Sequence, residues 1–318
     1  MSRVPITSLL APDTPSVERF TLHGRTYCKF QDEVYNFPAD DTEFERLDIM
    51  HHLIYLVALN KQLHLATLRS SPRRILDVGF GTGFWMFDIE KMYPSAEVIG
   101  IDLENQIGAN PGRTGCIFKA PVDFNSSPWP IEDASVDLVH MAQLCGCVAD
   151  WQQQYGKAYR CLRPGTGQIE HVEVDWTPRT HESHYPAAAI DVHNWWYWMC
   201  QASSQSGKPM AYREDTEDLL EHAGFVDVAH KRIRVPLFVH SARKDQREWA
   251  LAHGYQVAMG HEETESFTGL SMLLFTRYLN FSPAQVLEVC NRVKGVIGQK
   301  DLPLYINLHV WTARRPQS

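Results

Sequence analysis

The segment Ile75-Leu76-Asp77-Val78-Gly79-Phe80-Gly81-Thr82-Gly83-Phe84-Trp85 constrains the fold more than any other part of the chain. An apolar, β-branched run meets glycine at alternate positions, and a helix-compatible stretch follows. That order describes a strand driving into a glycine loop. Without Cβ atoms, Gly79, Gly81 and Gly83 admit positive φ values and let a ligand approach the backbone. Asp77 falls at the carboxyl end of the strand, where open α/β sheets bind their ligands. The dinucleotide fingerprint G-x-G-x-x-G requires glycine where this chain has Phe84, so the spacing separates the two kinds of loop.

A G-x-G-x-G loop behind an acidic residue resembles motif I of the class I methyltransferases, which wraps the amino-acid half of S-adenosylmethionine. The resemblance implies that Asp77, Gly79, Gly81 and Gly83 line a cofactor site. The downstream order agrees with it. Val98-Ile99-Gly100-Ile101-Asp102 is a second short strand ending in a carboxylate, about twenty residues past the glycines. Asp102 either grips two ribose hydroxyls with its acceptor oxygens or is a turn residue at a strand end. Cys116-Ile117-Phe118 reads as a third strand, followed by Val122-Asp123-Phe124. By the same resemblance Asp123 accepts from the adenine amino group and Phe124 packs on the ring. Val136-Asp137-Leu138-Val139-His140-Met141 reads as a fourth strand, and the turn Leu162-Arg163-Pro164-Gly165-Thr166-Gly167 leads to a fifth. Tyr35 and Met141 complete the cofactor residues that the family pattern implies.

Composition bounds the remaining classes. With 44% hydrophobic residues the chain can bury a core, and its formal charge of -8 disfavours broad nucleic-acid binding. The seven cysteines are scattered and contain no C-x-x-C pair, so neither a zinc site nor a disulfide framework is expected, and Cys145 and Cys147 read as packing thiols. Ile6 to Ala11 is too short for a signal-peptide core, and no apolar run reaches membrane-spanning length. A soluble, cytoplasmic or nuclear protein with no metal is the expectation.

Alternating strands and helices specify a mostly parallel, doubly wound α/β sheet. Residues 1–72 are expected to form an N-terminal arm and helix acting as a lid, with irregular structure and a short hairpin around His23-Gly24-Arg25. Periodicity predicts one helix from Thr42 to Leu68, opened by a Thr42–Glu45 capping box. Residues 73–318 then form the methyltransferase domain. Glu214 to Ala223 reads as a helix and Phe225 to Val235 as a strand. Arg243 to Lys300 reads as a helical insertion (about 240–300) interrupted by Gly260, Gly269 and Pro283, and Leu304 to Arg314 as a closing strand. The last two strands are expected to pair antiparallel in a seven-stranded Rossmann-like sheet.

Tyr35-Asn36-Phe37-Pro38-Ala39-Asp40-Asp41, Glu45-Arg46-Leu47-Asp48 and His51-His52 resemble the entry signature of fungal LaeA-like (UMTA-type) methyltransferases. The similarity continues through Asp150-Trp151, Glu170-His171-Val172-Glu173-Val174-Asp175-Trp176, Gly269-Leu270-Ser271-Met272-Leu273-Leu274-Phe275-Thr276-Arg277 and Val310-Trp311-Thr312-Ala313-Arg314-Arg315-Pro316. Asn60-Lys61 and the turn containing Thr166 depart from the pattern without touching the cofactor residues. Such membership implies the cofactor strongly and the acceptor weakly, because the family holds both tailoring enzymes and nuclear regulators. Small-molecule O-methylation of a secondary metabolite is the leading expectation. A regulator acting through protein partners and a fold reused for non-methylating chemistry such as cyclisation are the alternatives.

A hydroxyl acceptor benefits from a base, and most of the remaining catalysis is placement. The acceptor side is expected at the ends of the fourth and fifth strands, near His140 and Gln143. Alternation puts His171, Glu173 and Asp175 on one face of the fifth strand, where an imidazole flanked by carboxylates is oriented for proton transfer. His193, just before the tryptophans Trp195, Trp196 and Trp198, is a further candidate base. The opposing reading is that these polar groups satisfy structural hydrogen bonds and that the tryptophans are partly core. His181-Glu182-Ser183-His184 fails the H-E-x-x-H spacing. The acidic run Asp40 to Asp48 is either a solvated helix face or, through Glu45, Arg46 and His51, a tie for the arm.

Overall fold

Two sheets divide the chain, a small one near its beginning and a large one that carries the glycine loop. The computed structural model describes residues 17–31, 33–105, 115–126, 128–238, 245–259, 265–297 and 302–317. Ile6 to Ala11, Arg243, Gly260 and Lys300 lie outside the described residues.

Val17–Leu22 (β1), Arg25–Phe30 (β2) and Glu33–Pro38 (β3) form an antiparallel sheet in that order. From Val17 onward, the segment expected to be irregular is therefore a sheet. His23 and Gly24, at φ 51° and 81°, make the two-residue turn whose twist matches the flanking strands. Asp41–His51 (α1) is capped by Asp40, which accepts from the Glu43 N–H at 3.2 Å, and not by the expected Thr42–Glu45 box. Arg25 donates to the same carboxylate at 2.7 and 2.8 Å, so one aspartate starts the helix and ties β2 to it. Glu45 is exposed, whereas Arg46 is buried against Glu43 inside α1.

The helix expected to reach Leu68 ends early. His52–Ala58 is π-helical, with the Leu59 N–H donating to the Ile54 carbonyl at 2.8 Å. The wider turn buries the consecutive side chains of Leu53, Ile54 and Tyr55 together with Ala58. Asn60 and Lys61, at φ 53° and 65°, then turn the chain away.

The large sheet begins with Arg74–Val78 (β4), followed by Phe84–Met92 (α2), Glu97–Ile101 (β5), Cys116–Lys119 (β6) and Leu138–Ala142 (β7). Trp151–Cys161 (α3), capped by Asp150, leads to Gln168–Thr180 (β8). Ile190–Gln205 (α4), Thr216–His222 (α5) and Val226–Pro236 (β9) follow. Gln246–Met259 (α6), Ser266–Tyr278 (α7) and Pro283–Ile297 (α8) are the insertion before Leu304–Arg314 (β10). The order is β6-β5-β4-β7-β8-β10-β9, with β10 antiparallel to both of its neighbours and the other pairings parallel. This is the seven-stranded class I methyltransferase sheet.

Neighbouring residues on a strand face opposite sides, so Ile75, Val98, Leu138 and Val172 join one apolar cluster while Leu76, Ile99, Val139 and Ile169 join another. The first cluster includes α4 and the insertion helices. Trp195 and Trp196 are buried in it, and Trp198 packs edge-on against Phe281. Gly269 sits inside α7 and does not interrupt it; a side chain there would collide with the Arg25 guanidinium, which accounts for the glycine. Pro283 opens α8, a position that needs no N–H donor.

Candidate active site

The chain must leave β4 without covering the carboxyl edge of the sheet. Gly79, Gly81 and Gly83 achieve this at φ 74°, 51° and 76°, a region that side chains disfavour. A Cβ on Gly79 would lie 2.6 Å from a Leu144 methyl, whereas one on Gly81 would meet nothing nearer than Leu47 at 3.9 Å. The backbone at position 81 therefore faces open space. That space is a cavity of about 270 Å³, floored by Asp77, Asp102, His140, Ala142 and Gln143 at the strand ends. Phe30, Gln31, Glu33 and Tyr35 of the small sheet and the loop within it line it too, as do His51 and Tyr55.

At one end, Asp102 accepts from the Gly81 N–H at 2.8 Å and, through its other oxygen, from the Leu103 N–H at 2.6 Å. The Glu104 amide is a third donor to this carboxylate, which still lines the cavity. Burial pushes this carboxyl up to about 6, against the pull of the amide donors. Asp123 folds its own turn, accepting from Asn125 N–H at 2.9 Å and Ser126 Oγ at 3.1 Å, and it lines the cavity beside Phe124. Lys208 donates to Glu33 at 2.6 Å, joining the residues after α4 to the small sheet.

At the other end, Asp77 Oδ1 lies 2.7 Å from His140 Nδ1, and His140 Nε2 lies 2.7 Å from the Tyr55 hydroxyl. Trp85 stacks on this imidazole with centroids 3.7 Å apart and planes within 4°. Its own indole N–H is held by the Leu63 carbonyl. His51 Nε2 donates to the Asp88 carboxylate at 3.2 Å, and burial lowers the His51 pKa.

Of the residues expected to bind the cofactor, Tyr35, Asp77, Gly79, Gly81, Asp102, Asp123 and Phe124 line the cavity. Gly83 stands at the start of α2, and Met141 is fully buried in β7; neither lines it. The three residues expected to be catalytic lie elsewhere. His171 is buried, 2.9 Å from the Tyr155 hydroxyl and 3.4 Å from Glu173. Glu173 accepts from the N–H groups of Leu144 and Cys145 at 2.9 and 3.0 Å, so it holds the loop whose Leu144 forms part of the wall. His193 is exposed on α4 with its ring edge-on to Tyr185. The tryptophans of α4 do not line the cavity either. Sequence reasoning singled out neither Tyr55 nor Lys208. Tyr55 is signalled only by its place four residues after His51, one helical turn on, and Lys208 by nothing.

The fold and the glycine loop define a class I methyltransferase that uses S-adenosylmethionine. A family model described as a methyltransferase domain matches residues 49–230. Among solved structures, a phosphoethanolamine N-methyltransferase of Haemonchus contortus, in complex with phosphomonomethylethanolamine and S-adenosylhomocysteine, shares the fold at TM-score 0.51 and 12% identity, covering 94% of this chain and 71% of that one. The [4+2]-cyclase SpnF shares it at TM-score 0.50 and 17% identity, over 89% of this chain and 99% of that one. Sequence similarity is narrower. The secondary metabolism regulator LAE1 of Cochliobolus heterostrophus is 36% identical over 93% of this chain and 94% of its own length. The secondary metabolism regulator laeA of Aspergillus flavus is 34% identical over 92% and 77%. The protein-methionine methyltransferase laeA of Emericella nidulans is 32% identical over 92% and 76%. The chain belongs to the LaeA-like family of methyltransferases.

Proposed function

We propose that this protein regulates secondary metabolism by methylating a thioether, a methionine side chain of a protein. What supports the reading, besides the names of its relatives, is the state of the imidazoles in the cavity. Both His140 nitrogens are engaged by Asp77 and Tyr55, and His51 Nε2 is engaged by Asp88. The expected bases His171, Glu173 and His193 do not line the cavity. A hydroxyl acceptor has a proton to lose; a thioether has none. Its sulfur lone pair forms the new S–CH₃ bond, the S-adenosylmethionine S–CH₃ bond breaks, and the positive charge passes from one sulfur to the other with no proton moved.

When bound, the cofactor supplies the activated methyl group; the chain supplies placement. The Asp102 carboxylate, facing the cavity, fits the ribose hydroxyls, and Asp123 with Phe124 fits an amino-bearing ring. The open space at Gly81 and the Asp77 oxygen not used by His140 fit an ammonium-bearing chain. We assign Tyr35 to the cover, Gly83 to the loop's exit and Met141 to support beneath the floor. His171 and Glu173 are reassigned to structural duty.

The aromatic lining of Phe30, Tyr35, Phe84 and Trp85 favours a second reading, O-methylation of a flat small molecule. Labelled methyl from S-adenosylmethionine, followed into a fungal extract, separates the two. Label on protein methionine is expected. Label in a discrete small molecule would replace the first reading with the second. Cofactor binding without transfer to either would point to a reused fold or a purely binding regulator in the cytoplasm or nucleus.

A further inference from the structure

Asp77, His140 and Tyr55 form a chain of hydrogen bonds at one end of the cavity, each link 2.7 Å long. All three side chains are buried, at 3%, 1% and 2% exposure, yet all three line the cavity. The chain fixes where protons sit. Asp77 accepts from Nδ1–H, and in the neutral imidazole this leaves Nε2 as the acceptor. The Tyr55 O–H therefore points at His140, and only the oxygen lone pairs remain for the cavity. Trp85, stacked at 3.7 Å and itself anchored to Leu63, keeps the imidazole from rotating out of this arrangement. The result is an oxygen that accepts and cannot donate.

We propose that Tyr55 is a specificity-determining residue whose hydroxyl oxygen faces the sulfonium methyl of S-adenosylmethionine, and that His140 is the positioning residue that keeps it in the accepting orientation. This rests on the assignment of the cavity as the cofactor site. Polarised C–H groups on a sulfonium are attracted to an oxygen lone pair, and the neutral sulfur of S-adenosylhomocysteine offers it nothing comparable. A buried acceptor of this kind favours the charged substrate over the neutral product, which assists product release. Burial also raises the Tyr55 pKa well above its ordinary value, so the hydroxyl keeps its proton and the hydrogen bond to His140. Ammonium recognition does not distinguish the two ligands, because both carry that group.

The test is the ratio of S-adenosylmethionine to S-adenosylhomocysteine affinity, measured by calorimetry on the full chain. Tyr55→Phe keeps the ring and removes the oxygen. It is expected to weaken S-adenosylmethionine binding roughly fivefold, the size of a contact of this class, and to leave S-adenosylhomocysteine within about twofold. Equal loss for both ligands, as a merely structural role would give, overturns the proposal; so does no loss for either. His140→Phe keeps a ring against Trp85 and frees the Tyr55 hydroxyl to rotate, and the ratio is expected to fall in the same direction. An unchanged ratio in that variant overturns the positioning role. Wild-type protein that binds neither ligand overturns the cofactor assignment itself, a result distinct from all of these.

Discussion

Two assemblies of a tryptophan, a histidine, a carboxylate and a tyrosine stand on this sheet. In one, Trp85 stacks on His140, which bridges Asp77 and the Tyr55 hydroxyl. In the other, Trp151 packs on His171 at 4.5 Å, and His171 bridges Glu173 and the Tyr155 hydroxyl. Both histidines are buried, and burial raises both tyrosine hydroxyls well above their ordinary pKa. The difference is what lies beside them. Asp77, His140 and Tyr55 border the cavity, whereas Glu173 is taken up by the amides of Leu144 and Cys145. An imidazole beside a carboxylate is a recurrent way to satisfy buried polar groups. Access to the cavity, which neither residue type nor spacing encodes, separates the two copies.

The comparison breaks most decisively at the glycine loop. Gly81→Val puts a β-branched side chain at φ 51° and into the open space at the strand ends. Cofactor binding is expected to fall by at least roughly a hundredfold in calorimetry, with the far-ultraviolet circular dichroism retained; normal binding would undo the loop assignment. Asp102→Ala is expected to cost about 1–3 kcal/mol of cofactor affinity through lost ribose contacts, and unchanged affinity would remove Asp102 from the site.

Acidity should act through the same residue. The Asp102 carboxyl sits at about 6 in the free protein, and bonds from ribose hydroxyls favour its charged form. Affinity is thus expected to be level above that pH and to weaken as pH falls through it, by no more than about tenfold per unit. Asp102→Asn should flatten the profile; tighter binding on acidification would contradict the assignment. The smallest effect on binding belongs to the other assembly. His171→Phe should lower stability to urea by about 1–3 kcal/mol through the hydrogen bonds that Tyr155 and Glu173 lose, yet leave cofactor affinity within about twofold. A loss of binding as large as that of Asp102→Ala would erase the distinction between the two copies.

The part of this site that reads out of the sequence is the part made by consecutive residues. Asp77, the glycines and Asp102 are legible because a strand, its turn and the next strand's end are set by local spacing. Alternation likewise put His171, Glu173 and Asp175 on one face, but not what covers that face. The cover is Tyr155 of α3 and the loop at Leu144, and their arrival depends on packing. Tyr55 reaches His140 across 85 residues of sequence, and only after a π-helical turn brings three successive side chains inward. The cap at Asp40 in place of Thr42, and the glycine placed inside a continuous helix at 269, both lie against one side chain, Arg25. Propensity yields at both places to a tertiary contact.

The small sheet carries a practical consequence for anyone who delimits such proteins by their motif. The methyltransferase family model begins at residue 49, after Phe30, Gln31, Glu33 and Tyr35 have already contributed to the cavity lining. A fragment cut to that boundary would keep every strand-end carboxylate and the whole glycine loop, and would pass any search for them. It would lose those four lining residues and a fifth, Leu47, and also Arg25, which binds the cap of α1. The recognisable unit and the working unit of this chain have different edges.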